Sequence, residues 1–237
     1  MIELKDITKI YGGKVKALDN VSLTVPDGCI YGFLGPNGAG KTTAIKLITG
    51  IIKPDNGSAT VNGAEAMSIE SKKAIGFVPD DPNIFLRLKG IEYLSFMADM
   101  YDVSASVREP RIKELAVRFE MESALSDKIQ SYSHGMRQKI VIMGALVHQP
   151  KVWILDEPMT GLDPKSSFEL KKMMREHAQA GNTVFFSTHV LDVAEKVCDK
   201  LAVIDKGRIL FAGNMEDLKK ESSVSLEKMF LEMTENA

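Results

Sequence analysis

An α/β fold built on a mostly parallel sheet, with a helical subdomain inserted into it, is what the sequence predicts, on three observations. Apolar β-type runs alternate with helical segments after residue 151, several of those runs are apolar on both faces, and residues 82–150 are helical in pattern throughout.

The chain opens on three short β-type runs: I-E-L-K-D-I from Ile2, V-S-L-T-V before Pro26, and C-I-Y-G-F-L over residues 29–34. The third feeds G-P-N-G-A-G-K-T-T and then an apolar-periodic helix through Ile45, Ile48 and Ile52. The turn signals P-D-N-G and V-N-G accompany S-A-T-V, followed by a short polar segment and I-G-F-V over residues 75–78. Within residues 82–150, Ile91, Leu94, Met97 and Ala98 share one helix face, as do Ile112, Leu115 and Phe119. A further helix follows Gly135 and ends at His148. Strand and helix then alternate: V-W-I-L (152–155), a helix over 166–180, T-V-F-F-S-T (183–188), a helix over 190–197, L-A-V-I (201–204) and R-I-L-F (208–211). Residues 1–81 and 151–220 read as one core, 82–150 as the insert. Residues 221–237 read as a C-terminal helix with Leu226, Met229, Phe230 and Met233 on one side.

A chain of 237 residues with 44% hydrophobic content can bury a core of its own. Thirty basic against 32 acidic residues leave a net charge of −2, so no global field attracts polyanions and nucleic acid is not the expected partner. Cys29 and Cys198, far apart on apolar segments, suit two reduced buried thiols. The start carries Glu3 and Asp6 where a signal peptide needs positive charge, and the longest uncharged stretch, residues 28–40, falls well short of the ~18 residues of a membrane span. The expected location is cytosolic, with any membrane role exerted through a partner.

Gly35, Gly40, Lys41 and Thr42 satisfy G-x-x-x-x-G-K-[ST], with a strand before and a helix after. In such a loop glycines let backbone N–H groups turn toward a triphosphate, Lys41 reaches the β and γ phosphates, and the Thr42 hydroxyl holds Mg²⁺. Asp156 and Glu157 end the run V-W-I-L, at the carboxyl end of a buried strand, where ligands of open α/β sheets bind. Asp156 suits the Mg²⁺ shell; Glu157 suits a base that orients or deprotonates water. His189, after T-V-F-F-S-T, stands at a strand end too, where it reads as a member of the same rim or as a surface or capping residue. A phosphotransferase or GTPase also uses this loop, but no guanine-reading N-K-x-D occurs. S-Y-S-H-G-M-R-Q-K, residues 131–139, looks like a second phosphate-binding helix start.

Together these motifs resemble, over essentially the whole length, the nucleotide-binding subunit of an ATP-binding cassette (ABC) transporter. Tyr11 stands where that family stacks an aromatic on adenine. Gly35, Pro36, Asn37, Gly38, Ala39, Gly40, Lys41, Thr42 and Thr43 correspond to its Walker A loop, Tyr132 to Met136 to its signature, and Val152 to Glu157 to its Walker B strand. Asp163 falls in the family's D-loop, and His189 is its switch histidine. The resemblance implies a P-loop NTPase core, an N-terminal antiparallel β-subdomain and the inserted helical signature subdomain. It also implies Mg-dependent ATP hydrolysis in a head-to-tail homodimer or heterodimer. There Ser133 and Gly135 of one subunit cap the γ-phosphate held by the other, and separate membrane permease subunits move the cargo, in the export direction.

Two positions depart from the pattern. The family's L-S-G-G-Q reads Y-S-H-G-M here: Ser133 and Gly135 remain, while His134 and Met136 replace glycine and glutamine. A histidine near the phosphate would make ATP-driven dimerisation sensitive to pH. Asp80 stands where the family places a glutamine, offering an oxygen to Mg²⁺ together with an added negative charge. The segment from Asn83 to Tyr101 resembles the helical region of exporter subunits, part of whose surface receives cytoplasmic helices of a membrane partner.

Overall fold

Ten strands and eight α-helices follow one another in the structure, a computed structural model that describes residues 1–220. The one-sided helix expected at Leu226, Met229, Phe230 and Met233 lies outside the described residues. In order, β1 (Ile2–Tyr11), β2 (Val15–Val25) and β3 (Ile30–Leu34) lead into α1 (Lys41–Ile48). Then come β4 (Asn56–Val61), β5 (Ala64–Glu65), α2 (Ile69–Ala74) and β6 (Ile75–Val78). Helices α3 (Gly90–Met100), α4 (Ala105–Phe119) and α5 (His134–Leu146) are consecutive. The chain returns through β7 (Val152–Asp156), α6 (Pro164–Gln179), β8 (Thr183–Thr188), α7 (Leu191–Val197), β9 (Lys200–Asp205), β10 (Arg208–Asn214) and α8 (Met215–Lys220).

The strands form two sheets: β2-β1-β4-β5, antiparallel, and β10-β9-β3-β8-β7-β6, parallel except for β10. Alternation along the central strands explains how they are covered. Trp153, Leu155, Val184, Phe186, Leu201 and Val203 face α3 to α6, whereas Ile154, Phe185, Ala202, Ile204 and Phe33 face α1 and the antiparallel sheet. With both faces covered, these strands have no solvent side, and each buried large side chain contributes about 1.5–3 kcal/mol.

The first two strands run further than their apolar runs. The β1–β2 ladder continues to Tyr11 opposite Val15, across a turn in which Gly12 and Gly13 have φ of 57° and 68°. A hairpin supplies backbone partners whatever the side chains are, so polar residues such as Lys9 stay in the strand. Helix α2, six residues within the expected polar segment, is too short for periodicity to find. The Ser68 hydroxyl caps it by accepting from the Ser71 N–H at 3.1 Å, and Glu70 and Lys73 complement its dipole. Helix α1 stops at Ile48, short of Ile52. In α3, Leu94 and Ala98 are buried as expected, but Ile91 is exposed and Tyr93 takes its place inside. Both cysteines are buried and free.

His148 stacks on Tyr101 with ring centroids 3.6 Å apart, and the His148 Nε2–H and the Tyr101 hydroxyl both donate to the Ile75 carbonyl, at 3.1 and 3.2 Å. Burial pushes this imidazole down to about 4, and does the same to His177 beside Trp153. Between that value and the ordinary ~6.5 the unfolded chain binds protons that the folded chain does not, so stability falls as pH is lowered through this window. Thermal melts are therefore expected to lose several degrees between pH 7 and 4.5, and His148→Phe, which keeps the stack, should lose less over the same range.

Candidate active site

The carboxyl ends of β3, β6, β7 and β8 lie along one edge of the parallel sheet, and each delivers part of the site. After β3 the chain turns through Gly35 to Gly40, where α1 begins. Gly40, at φ 110°, has the Ala17 carbonyl 2.5 Å from where a Cβ would stand, so only glycine fits. No acidic residue occupies the first turn of α1, leaving its free N–H groups and positive dipole end to an anion. Pro36, Asn37, Gly38, Gly40, Lys41, Thr42 and Thr43 line a cavity of about 450 Å³ with Asp80, Asp156 and Glu157. Gly35 and Ala39 do not line it: Ala39 is buried in the core, and Gly35 contributes its carbonyl to Lys41.

Lys41 is only 7% exposed, and its ammonium donates to the Gly35 and Pro36 carbonyls at 2.7 and 3.2 Å, with Glu157 Oε1 at 3.5 Å. Asp156 is buried: its Oδ2 accepts from the Thr42 hydroxyl at 3.0 Å, and its Oδ1 from the Ser187 hydroxyl. The same Ser187 oxygen accepts the Glu157 N–H at 3.1 Å, so one hydroxyl of β8 fixes both acids. Glu157 sits at φ 47°, a left-handed conformation costing of order 1 kcal/mol in a non-glycine residue, and this turns its side chain out of the strand direction into the cavity. The His189 Nδ1–H meets Glu157 Oε1 at 2.9 Å. That contact ties His189 to an acid of the cavity wall, although His189 does not itself line the cavity. Asp80 lies on the cavity wall, where burial first and then the carboxylates of Asp156, Glu157 and Asp81 raise its carboxyl above the ordinary range.

The remaining expected residues lie elsewhere. Tyr11 is exposed at the end of β1, with the Lys9 ammonium 5.9 Å from its ring centre, and does not line the cavity, although Val15 opposite it does. Ser133, Gly135 and Asp163 are also absent from its lining and form a separate surface. There Ser133 caps α5 by accepting from the Met136 N–H at 3.2 Å, and a Cβ at Gly135 would stand 2.7 Å from the Gly161 carbonyl. His134 packs against the Cα of Gly161, where a Cβ would come within 2.8 Å of its Nε2. Asp163 caps α6 and is 3.1 Å from Lys139; the Ser166 hydroxyl and N–H hold its carboxyl well below the usual range.

Sequence reasoning missed Lys16, Ala17 and Lys206, which close the cavity from the β1–β2 hairpin and the β9–β10 turn, and Ser187. Only Ser187 had a local signal, as a hydroxyl near the end of an otherwise apolar run.

The ABC transporter family matches residues 18–160. The chain is 33% identical to the ABC transporter ATP-binding protein NatA of Bacillus subtilis, over 98% of this chain and 97% of that one. It is 36% identical to the daunorubicin/doxorubicin resistance ATP-binding protein DrrA of Streptomyces peucetius, over 92% of this chain and 66% of the relative. A solved ATP-binding subunit of an ABC transporter superposes with a TM-score of 0.93 at 31% identity, covering 98% of this chain and 99% of that chain. A dimeric ATP-binding cassette in a post-hydrolysis state with ADP and Pi superposes with a TM-score of 0.82 at 26% identity, over 91% and 99%. With a phosphate loop, two strand-end acids and a histidine assembled on this fold, the chain belongs to the ABC transporter family, as an ATP-binding subunit.

Proposed function

We propose that the chain hydrolyses ATP at the interface of a head-to-tail dimer, with itself or a similar subunit, and so drives export through separate membrane subunits. The observation that carries this reading is the separation of the two half-sites. The cavity holds the phosphate loop with Asp156 and Glu157, while Ser133 and Gly135 begin α5, with Asp163 at the start of α6 beside Lys139 of α5, and none of the three lines their own chain's cavity. A second copy turned head to tail would bring the α5 start, with its unsatisfied N–H groups, to the γ-phosphate. ATP then binds the dimer more tightly than the monomer, and its hydrolysis loosens the pair.

Thr42 and Asp156 provide neighbouring hard oxygens suited to Mg²⁺, with Asp80 near them. Among the described residues no group of three or more His, Cys, Asp or Glu side chains is placed to hold a metal ion by itself. When bound, Mg²⁺ neutralises charge on the β and γ phosphate oxygens. Lys41 exchanges its two loop carbonyls for phosphate oxygens. Glu157 accepts the proton of the attacking water, and His189 holds its carboxylate in line.

A groove of about 740 Å³ between α1, α2 and α3, walled by Ile51, Ile69, Phe77, Phe85, Phe96 and Met100, suits a cytoplasmic helix of a membrane subunit. On that docking we place the chain at the cytoplasmic face of the membrane, held there by the partner; no helix of the described residues is long and apolar enough to cross a membrane. The relative named for daunorubicin/doxorubicin resistance supports export.

Turnover per chain is expected to rise steeply with protein concentration at saturating Mg-ATP, in step with dimer seen by light scattering. Full turnover in a demonstrably monomeric sample would overturn the shared-site reading.

A further inference from the structure

Arg137, in the first turn of α5, spreads its guanidinium over three acceptors. Nε donates to the Ile129 carbonyl at 3.3 Å, Nη2 to the Gln130 carbonyl at 2.8 Å, and Nη1 to Asn83 Oδ1 at 2.7 Å. Asn83 is gripped from its other side, since Asp81 Oδ1 accepts both its N–H, at 2.9 Å, and its amide, at 2.7 Å. The turn behind it is tied down as well: the N–H groups of Ile129 and Gln130 donate to the carbonyls of Leu88 and Leu86, each at 2.9 Å.

Asn83 stands between two working positions. Three residues before it, Asp80 lines the nucleotide cavity, and two residues after it, Phe85 lines the apolar groove. Phe85 has φ 51°, a conformation that a bulky residue holds only under external constraint, and its ring lies 5.5 Å from both Tyr93 and Phe96 of α3. A single residue separates Phe85 from Asn83, so the ring against α3 and the amide held by Asp81 and Arg137 belong to one short, anchored segment.

We propose that Arg137 is a positioning residue that couples the apolar groove and the Asp80 loop to the start of α5, so that the three move as one piece. The proposal rests on the reading above, in which the groove receives a membrane partner and the α5 start serves ATP. The forked, planar guanidinium is what the arrangement needs, because a lysine ammonium on a flexible stem does not reach three divergent acceptors at once. Arg137 touches no reacting atom, so its loss should appear in the catalytic step rather than in ATP capture.

The test uses the full chain with Arg137→Lys, Asn83→Ala and the double variant, measuring steady-state ATP turnover and amide deuterium exchange. Each single variant is expected to lower kcat about 5–10-fold with the KM for ATP within about twofold. The double variant should fall no further than the worse single one, because both cut the same link. Exchange should accelerate over residues 81–88 and stay unchanged in β7 and β8. Losses that multiply in the double variant, or faster exchange throughout the chain, overturn the proposal. A wild-type chain that turns over ATP alongside variants that match it overturns the role of Arg137 alone, and the exchange arm tests the link independently of turnover.

Discussion

Glu157→Gln is expected to reduce steady-state ATP turnover by about 10²–10⁴-fold while ATP affinity stays within a few-fold of wild type. Glutamine has the same shape and keeps an oxygen in the place where Glu157 Oε1 meets His189 and Lys41, so the left-handed turn at residue 157 and the cavity wall are conserved. What it lacks is a basic carboxylate able to take a proton. Binding energy that would have been released by hydrolysis is then retained, and Mg-ATP should accumulate the variant as a dimer on size-exclusion chromatography. Rapid-quench single-turnover assays separate the chemical step from release. A kcat within tenfold of wild type would remove Glu157 from the role of base, and a variant that stays monomeric with saturating Mg-ATP would remove the nucleotide from the interface.

Lys41→Ala should act on the other side of the ledger, on binding. Its ammonium is nearly enclosed, and it is held by two carbonyls of the loop it belongs to and by Glu157. This pre-places the cation where the β and γ phosphates arrive, and a charge-assisted contact in such a setting is worth roughly 2–3 kcal/mol or more. ATP affinity is expected to fall about 100-fold or further. In the wild type, ATP at a hundred times its Kd adds about 2.7 kcal/mol to stability. The same concentration should leave the melting temperature of Lys41→Ala almost unmoved. An ATP-induced shift equal to that of wild type would show that Lys41 is not a phosphate ligand. Because alanine removes a near-buried charge and leaves Asp156 and Glu157 held by Ser187 and His189, the unliganded variant should still fold cooperatively.

How much of this site was legible depends on how local its causes are. The phosphate loop was readable because a tight turn against Ala17 and Ile204 admits only glycine at positions 35 and 40, and because lysine is the side chain that follows such a turn with charge and reach. Asp156 and Glu157 were readable because a run apolar on both faces has to end where polar groups begin. His189 was ambiguous by itself, and its 2.9 Å contact with Glu157 joins residues 32 apart in sequence. Lys16 and Lys206 had no signal at all, since only the packing of a hairpin and a β9–β10 turn over the loop brings them to the cavity. The same limit applies to Ile91 and Tyr93: both fit a helical period, and which of them faces inward depends on where α5 and Phe85 lie.

By itself, then, the sequence determined the alternation of strand and helix, the phosphate-binding turn and the acids at the end of β7. These follow from backbone sterics and from side-chain polarity a few residues either way. Tertiary structure alone decided that Ser187 fixes both acids, that Arg137 joins the Asp80 loop to α5, and that Ser133 and Gly135 lie outside their own chain's cavity. Those outcomes depend on which distant segments the sheet order and helix packing bring within hydrogen-bond reach, and no local pattern encodes a distance.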